Sequence, residues 1–90
     1  LPALNKSRPE LEVKFVSARS ILEAKITHMW QEILILEKVG IHDNFFDLGG
    51  YSLQAVELVT KIQKAFQVKI SLYSFMKTPT IAGLAQILEA

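Results

Sequence analysis

Val39-Gly40-Ile41-His42-Asp43-Asn44-Phe45-Phe46-Asp47-Leu48-Gly49-Gly50-Tyr51 mixes turn formers with large apolar side chains. Solvated connections rarely carry Ile, Leu and two adjacent Phe, so the stretch reads as a loop that packs its own side chains into a core and is held rigid by them. Downstream, the spacing predicts a helix from Ser52 to about Phe66. At about 100° per residue, Ala55, Leu58, Val59, Ile62, Ala65 and Phe66 gather on its core face. The same wheel puts Leu53 on the opposite side, among Glu57, Lys61 and Lys64, so a large apolar residue faces solvent beside Ser52.

Upstream of the loop, Ser20-Ile21-Leu22-Glu23 has the form of a capping box, with Ser20 capping the Glu23 N–H while the carboxylate reaches back. Leu22, Ile26, Met29, Ile33 and Leu36, with Trp30 alongside, then form one buried helical stripe that is expected to end near Gly40. At the other end Thr80, after Pro79, can cap a last helix whose Ile81, Leu84, Ala85 and Leu88 share a face. Gly83 inside that helix weakens it by about 1 kcal/mol against Ala, which points to close packing. Ser71 to Lys77 reads either as a strand, continuing the alternation of Val68, Ile70 and Leu72, or as a short helix. Leu11, Val13 and Phe15 alternate with Glu10, Glu12 and Lys14, also a strand pattern.

Ninety residues, half of them apolar, suit one domain and exclude a large enzyme fold. The net charge of +1 gives no field for nucleic acid or an anionic membrane. Without cysteine there is no disulfide framework or thiolate, and two isolated histidines make no metal centre. The longest apolar run, Ile33-Leu34-Ile35-Leu36, is far short of a membrane span. A soluble cytoplasmic domain is the expectation, and the opening Leu1-Pro2-Ala3 suggests a piece of a longer polypeptide. Residues 1–19 carry a charge of +2 and two of the three prolines, whereas residues 20–90 carry −1. That contrast places a linker at 1–19 and the folded domain at 20–90.

Gly49-Gly50-Tyr51-Ser52 puts a hydroxyl where a glycine-bearing loop enters a helix, and orphan N–H groups with the positive end of the helix dipole there favour a phosphate. The competing reading makes Ser52 only the helix cap. A nucleophile elbow is excluded because Gln54 stands where glycine is needed, and neither a dinucleotide fingerprint nor a Walker lysine is present. His28 reads as a helix-surface residue and His42 as a loop residue. Asp43 and Asp47 are better explained by turns than by acid–base catalysis. Lys61, Lys64 and Lys69 read as a solvated face, with Glu57 at the i,i+4 spacing from Lys61.

The run Asp43 to Leu53, Asp-Asn-Phe-Phe-Asp-Leu-Gly-Gly-Tyr-Ser-Leu, resembles the core motif of peptidyl carrier (thiolation) domains of nonribosomal peptide synthetases. Val39-Gly40-Ile41-His42 and Pro79-Thr80-Ile81-Ala82-Gly83-Leu84-Ala85 extend the resemblance over about residues 20–90, and Leu1-Pro2 looks like the tail of a linker after an adenylation domain. The resemblance implies an all-α, acyl carrier protein-like four-helix bundle, with three main helices, a short third helix over 71–77 and an extended N-terminal linker. It implies that Ser52, flanked by Gly49, Gly50 and Leu53, receives 4′-phosphopantetheine from coenzyme A through a separate magnesium-dependent phosphopantetheinyl transferase. The domain itself would catalyse nothing and hold no metal. Its expected partners are adenylation, condensation, thioesterase and other downstream synthetase domains, met by Tyr51, Leu53, Met76 and Lys77, and the isolated domain is expected to be a monomer. The family commonly has His or Asp at the position of Tyr51 and an acidic residue at that of Lys77. A polyketide or fatty-acid acyl carrier and a non-carrier helical interaction module are the competing readings.

Overall fold

The structure, a computed structural model, describes Leu11 and residues 13–89. Its elements are α1 (Ile21–Leu34), α2 (Ser52–Phe66), α3 (Leu72–Lys77) and α4 (Ile81–Glu89). There is no strand among the described residues: the described part of the first alternation and residues 14–19 have no ladder, and Leu72 opens a helix instead. Leu1 to Glu10 and Glu12, which the sequence reading assigned to the linker, lie outside the described residues.

Local chemistry accounts for where the helices begin. Ser20 Oγ accepts from the Glu23 N–H at 3.1 Å, Ser71 Oγ from the Ser74 N–H at 3.0 Å, and Thr80 Oγ1 from the Gly83 N–H at 3.0 Å. Each satisfies one of the donors that a helix start leaves without a partner. The reciprocal half of the expected capping box is displaced by one residue. The Glu23 carboxylate bypasses Ser20 and accepts from the Arg19 N–H at 2.7 Å and from the Arg19 guanidinium at 2.8 Å.

Helix α1 stops well before Gly40. Ile35 takes a left-handed conformation, φ 55°, and its N–H donates to Gln31 O. Leu36 N–H shares the same acceptor, and the Gln31 amide donates to Glu37 O at 2.7 Å. These bonds hold an isoleucine where the left-handed region costs a residue with a branched Cβ about 1–2 kcal/mol. Leu36 therefore leaves the helix but still packs against the core.

The core is gathered from α1 (Ile26, Trp30), the loop after it (Val39, Ile41, Phe45, Leu48), α2 (Ala55, Leu58, Val59, Ile62), Phe75 of α3, and Ile81, Leu84 and Ala85 of α4. Helix α1 packs against α2 and α4, and α3 packs against α2. Ala65 is the exception to the expected α2 face. It is exposed, and Phe66 is only half-buried, because α2 outruns the core at its C-terminal turn. Gly83 is as closely packed as its position suggests: a Cβ there would stand 2.6 Å from Thr78 Cγ2 and 2.8 Å from Thr78 O. Leu11, Val16 and Ala18 pack on the bundle from the preceding segment, and Val16 O accepts from the Ile41 N–H at 2.9 Å. No helix among the described residues is long and apolar enough to cross a membrane.

Phe45 lies at the centre of an aromatic cluster. Its ring meets Trp30 at 5.0 Å, Phe75 at 5.4 Å and Phe46 at 5.5 Å between centroids, each edge to face. Truncating a buried phenylalanine typically removes about 3–5 kcal/mol, so Phe45→Ala is expected to lower the melting temperature by more than about 10 °C in a domain of this size. Phe46→Ala, at a half-buried position, should cost clearly less. Equal, small shifts for both variants in thermal denaturation would contradict this account. A second expectation concerns acid stability. The Arg19 side-chain hydrogen bond holds Glu23 below its ordinary carboxylate value, against the opposing effect of burial. A carboxylate that is more acidic in the folded state stabilises in full above its unfolded value, and the contribution is lost as pH falls through the folded one. Urea titrations of wild type and Glu23→Gln should therefore differ most near neutral pH and converge toward pH 3.

Candidate functional site

Residues 39–51 are fastened to the bundle at several points. The Ile41 carbonyl accepts from the Ala82 N–H at 2.9 Å, so this one residue joins the N-terminal segment to the start of α4. Asp43 is fully buried and its Oδ2 accepts from the Gly40 N–H at 2.8 Å. A Cβ on Gly40 would crowd that carboxylate at 3.0–3.2 Å. Asn44 makes the Asx turn, its Oδ1 accepting from the N–H groups of Phe46 and Asp47. Phe45 N–H donates to Pro79 O at 2.8 Å. Asp43 and Asp47 are not a catalytic pair: one is sealed inside the loop and the other is exposed. His42 is exposed in the same loop, and His28 lies on the α1 surface 3.4 Å from Glu32.

The two glycines have different internal reasons. Gly49 has φ +106°, a backbone conformation that side chains disfavour, with open space around it. Gly50 lies directly against the Phe45 ring, where a Cβ would fall 2.4 Å from Cε2, and its N–H donates to Phe45 O at 3.0 Å. The close approach that Gly50 permits is thus by Phe45, from within the domain. Nothing local in the chain shows which ring will cover this glycine, so its reason is visible only in the fold.

Beyond Gly50 the chain enters α2. Tyr51 is the N-cap, with extended φ −137° and ψ 175°. Ser52 is the first helical residue, so it does not cap α2, and the reading of this serine as a helix cap is corrected. Its place is taken by Gln54, whose Oε1 accepts from the Tyr51 N–H at 3.1 Å while its Nε2 donates to Ile33 O at 3.2 Å. One amide thus ties the start of α2 to the end of α1. Sequence reading missed this role; the signal was a glutamine three residues past the helix entry, the capping-box position.

Ser52 is exposed, and its hydroxyl makes no hydrogen bond among the described residues. The first turn of α2 contains no acidic residue. The positive end of a 15-residue helix therefore stands open beside a free hydroxyl, a setting that accepts a phosphodiester. The other described serines differ. Ser20, Ser71 and Ser74 are held in hydrogen bonds, and Ser17 lies outside the helices, in the segment that precedes the cap of α1.

An apolar surface surrounds this end of α2. Leu53 is 64% exposed, as its place on the wheel requires, and Tyr51 and Val56 are exposed near it. Helix α3, packed on α2, adds Leu72, Tyr73 and Met76. Lys77 lies 5.4 Å from the Tyr73 ring centroid, within cation–π range. Val56, Leu72 and Tyr73 were not singled out in the sequence, where the short length of α3 hid which of its faces turns outward.

Residues 24–88 match the family model described as the phosphopantetheine attachment site. Tyrocidine synthase 3 of Brevibacillus parabrevis is 48% identical over 71 residues, which is 79% of this chain and 1% of that protein. A chain in the complex of the phosphopantetheine transferase Sfp with coenzyme A and a peptidyl carrier protein superposes with a TM-score of 0.81 at 32% identity, covering 83% of this chain and 97% of that one. The solution structure of a peptidyl carrier domain described as a prototype for modular peptide synthetases matches with a TM-score of 0.76 at 33% identity, over 84% of this chain and all of that one. The chain spans only 1–2% of the length of synthetases such as tyrocidine synthase 3 and gramicidin S synthase 2. The family model and the structural likeness over more than four fifths of the chain agree, and the chain belongs to the phosphopantetheine attachment family as a peptidyl carrier domain.

Proposed function

We propose that Ser52 is the residue that carries 4′-phosphopantetheine, and that this chain serves a modular peptide synthetase by moving aminoacyl and peptidyl groups between its catalytic domains. The observation that carries the reading is the exposed Ser52 hydroxyl, without a hydrogen bond among the described residues, at the acid-free start of α2. Ser52 Oγ attacks the pyrophosphate of coenzyme A, forming the phosphodiester to pantetheine and expelling adenosine 3′,5′-bisphosphate. The hydroxyl proton passes to a base of the transferase, since no base of this chain lies in hydrogen-bond reach among the described residues. The N–H groups of the first turn then face the phosphodiester charge. When bound, the group supplies a thiol that holds acyl groups as thioesters.

The solved relatives supply the partner classes. One contains a phosphopantetheine transferase with coenzyme A, one an adenylation domain fused to its carrier, and one a thiolation domain joined to a reductase. We place the corresponding contacts of this chain, including those with condensation and thioesterase domains, on Tyr51, Leu53, Met76 and Lys77. Support comes from the exposure of three large apolar side chains there with no core to fill. Residues 1–19 would be the connection from an adenylation domain, residues 20–90 the carrier, and the cytoplasm the setting.

Ser52→Ala is expected to fold with wild-type stability within about 0.5 kcal/mol, because the hydroxyl makes no cap bond and surface substitutions of this kind cost little. It should accept no phosphopantetheine. Intact-mass analysis after incubation with a broad-specificity transferase, magnesium and coenzyme A checks this: the wild type should gain one phosphopantetheine mass and the variant none. A modified variant would move the site elsewhere, and an unmodified wild type would remove the carrier function. Leu53→Ala should leave the melting temperature nearly unchanged while slowing transfer between partner domains. The opposite pattern, a large stability loss with normal transfer, would place Leu53 in the core.

A further inference from the structure

Helices α1 and α2 run antiparallel, since Gln54 at the start of α2 bonds to Ile33 at the end of α1. Along their outward sides lies an open groove of about 810 Å³, running from Ile21 to Glu32 on α1 and from Lys61 to Phe66 on α2. Its floor is apolar, formed by Ile21, Met29 and Phe66 with the small side chains of Ala24 and Ala65 between them. Ile21 is 78% exposed, although it opens a helix whose core face is filled by other residues. The exposure of Ala65, which departs from the expected core face of α2, belongs to the same surface.

The rim is not neutral. Lys25, Lys61 and Lys64 stand around the floor, three of the six lysines between residues 20 and 90, whereas only Glu32 of the seven acidic residues in that span reaches it. Glu32 is already engaged, 3.3 Å from Lys61 across the groove and 3.4 Å from His28. Lys25 and Lys64 make no ion pair among the described residues. A segment whose acidic total exceeds its basic one thus gathers three lysines along this open apolar strip, two of them without an ion pair among the described residues.

We propose that this groove docks an acidic amphipathic helix of a protein partner, at a surface separate from Ser52. The pairing follows from the two chemistries present. Apolar residues of the partner at i, i+4 and i+7 would cover the floor, as helices seated in grooves do, and flanking carboxylates would meet Lys25 and Lys64. The strip from Ile21 to Glu32 spans roughly 16 Å at 1.5 Å per residue, the length of a three-turn helix. A second copy of the chain is a poor occupant, because a two-fold interface on this face would bring lysine against lysine. Ser52 opens α2 and the groove lies along its last turns, so the docked helix leaves the serine and the Leu53 surface free. A partner of this kind would hold the domain while its serine end is engaged elsewhere.

The test uses a fluorescent helical peptide of about 14 residues, with Leu at i, i+4 and i+7 and Glu on both flanks, beside the same peptide with Lys replacing Glu. The wild-type chain should bind the acidic peptide at least about tenfold more tightly than the basic one, with affinity falling as salt rises. Amide shifts should centre on Ile21, Lys25 and Phe66. The double variant Lys25→Glu, Lys64→Glu should lose at least about tenfold in affinity for the acidic peptide. It should retain its melting temperature and its loading by the transferase, so failure of the groove and failure of the Ser52 assignment are read separately. No binding at millimolar protein, equal binding of both peptides, shifts confined to the Leu53 and Met76 face, or self-association through the groove would each overturn the proposal.

Discussion

The contact on which the rest of this domain depends is the one between the Phe45 ring and the Gly50 backbone. Phe45 is buried against Trp30 of α1 and Phe75 of α3, its N–H is bonded to Pro79 O, and its carbonyl receives the Gly50 N–H. A loop residue thus stands where α1, α3 and the approach to α4 converge, and its ring fixes the height at which the chain passes into α2. Replacing Gly50 by any larger residue would drive a Cβ into that ring. The loop is part of the core, and the start of α2 inherits its rigidity from there. Edge-to-face aromatic pairs each contribute about 0.5–1.5 kcal/mol beyond buried area, and Phe45 takes part in three of them. Within the same cluster the Trp30 indole N–H has no hydrogen-bond partner among the described residues, so Trp30 contributes through packing alone.

From that anchor the site is set by two backbone-directed groups. Gln54 fastens the N-cap of α2 to the last carbonyls of α1, and Ile41 bridges the N-terminal segment and α4. Neither touches Ser52, yet together they hold the helix start that faces solvent there. With the capping work done by Gln54 from below, the Ser52 hydroxyl is left without an intramolecular task. An N-cap serine would have its oxygen turned onto a backbone N–H; a serine at the first helical position keeps it available.

Much of this was legible in the chain, and the parts that were not have common physical causes. Ser20, Ser71 and Thr80 act within three residues of their own positions, and the caps at Ser20 and Thr80 can be read locally. The same holds for the exposure of Leu53, fixed by the period of the helix, and for the buried loop, announced by two phenylalanines among turn formers. The end of α1 was not legible, because Ile35 is a residue that rarely adopts positive φ and is held there by the carbonyl of Gln31 and by Glu37. The partner of Lys61 was misjudged for a related reason. Spacing offers Glu57 on the same helix, whereas the structure pairs it with Glu32 on α1, a choice made by the packing of two helices. Gly50, Ala65 and the position of Ser52 one residue past the cap all turn on how neighbouring elements meet, which no window along the chain records.

The surroundings of Ser52 also bear on the proposed attachment, in which this serine would be the nucleophile of a non-catalytic domain. A serine hydroxyl attacks only when a base takes its proton, and no base among the described residues is hydrogen-bonded to the Ser52 hydroxyl. His28 is on α1 beside Glu32, His42 stands on the exposed loop, Asp43 is sealed against Gly40, and Glu23 is held by Arg19. Beside the serine are Tyr51, Leu53 and Gln54, the last engaged with backbone on both sides of its amide. The helix start can stabilise a negative charge once it is formed but cannot remove a proton. Under the proposed function, reactivity would therefore arrive with a partner that brings its own base, and what this chain supplies is access: a rigid helix end, an apolar collar around it, and no hydrogen bond on the hydroxyl among the described residues to be broken first.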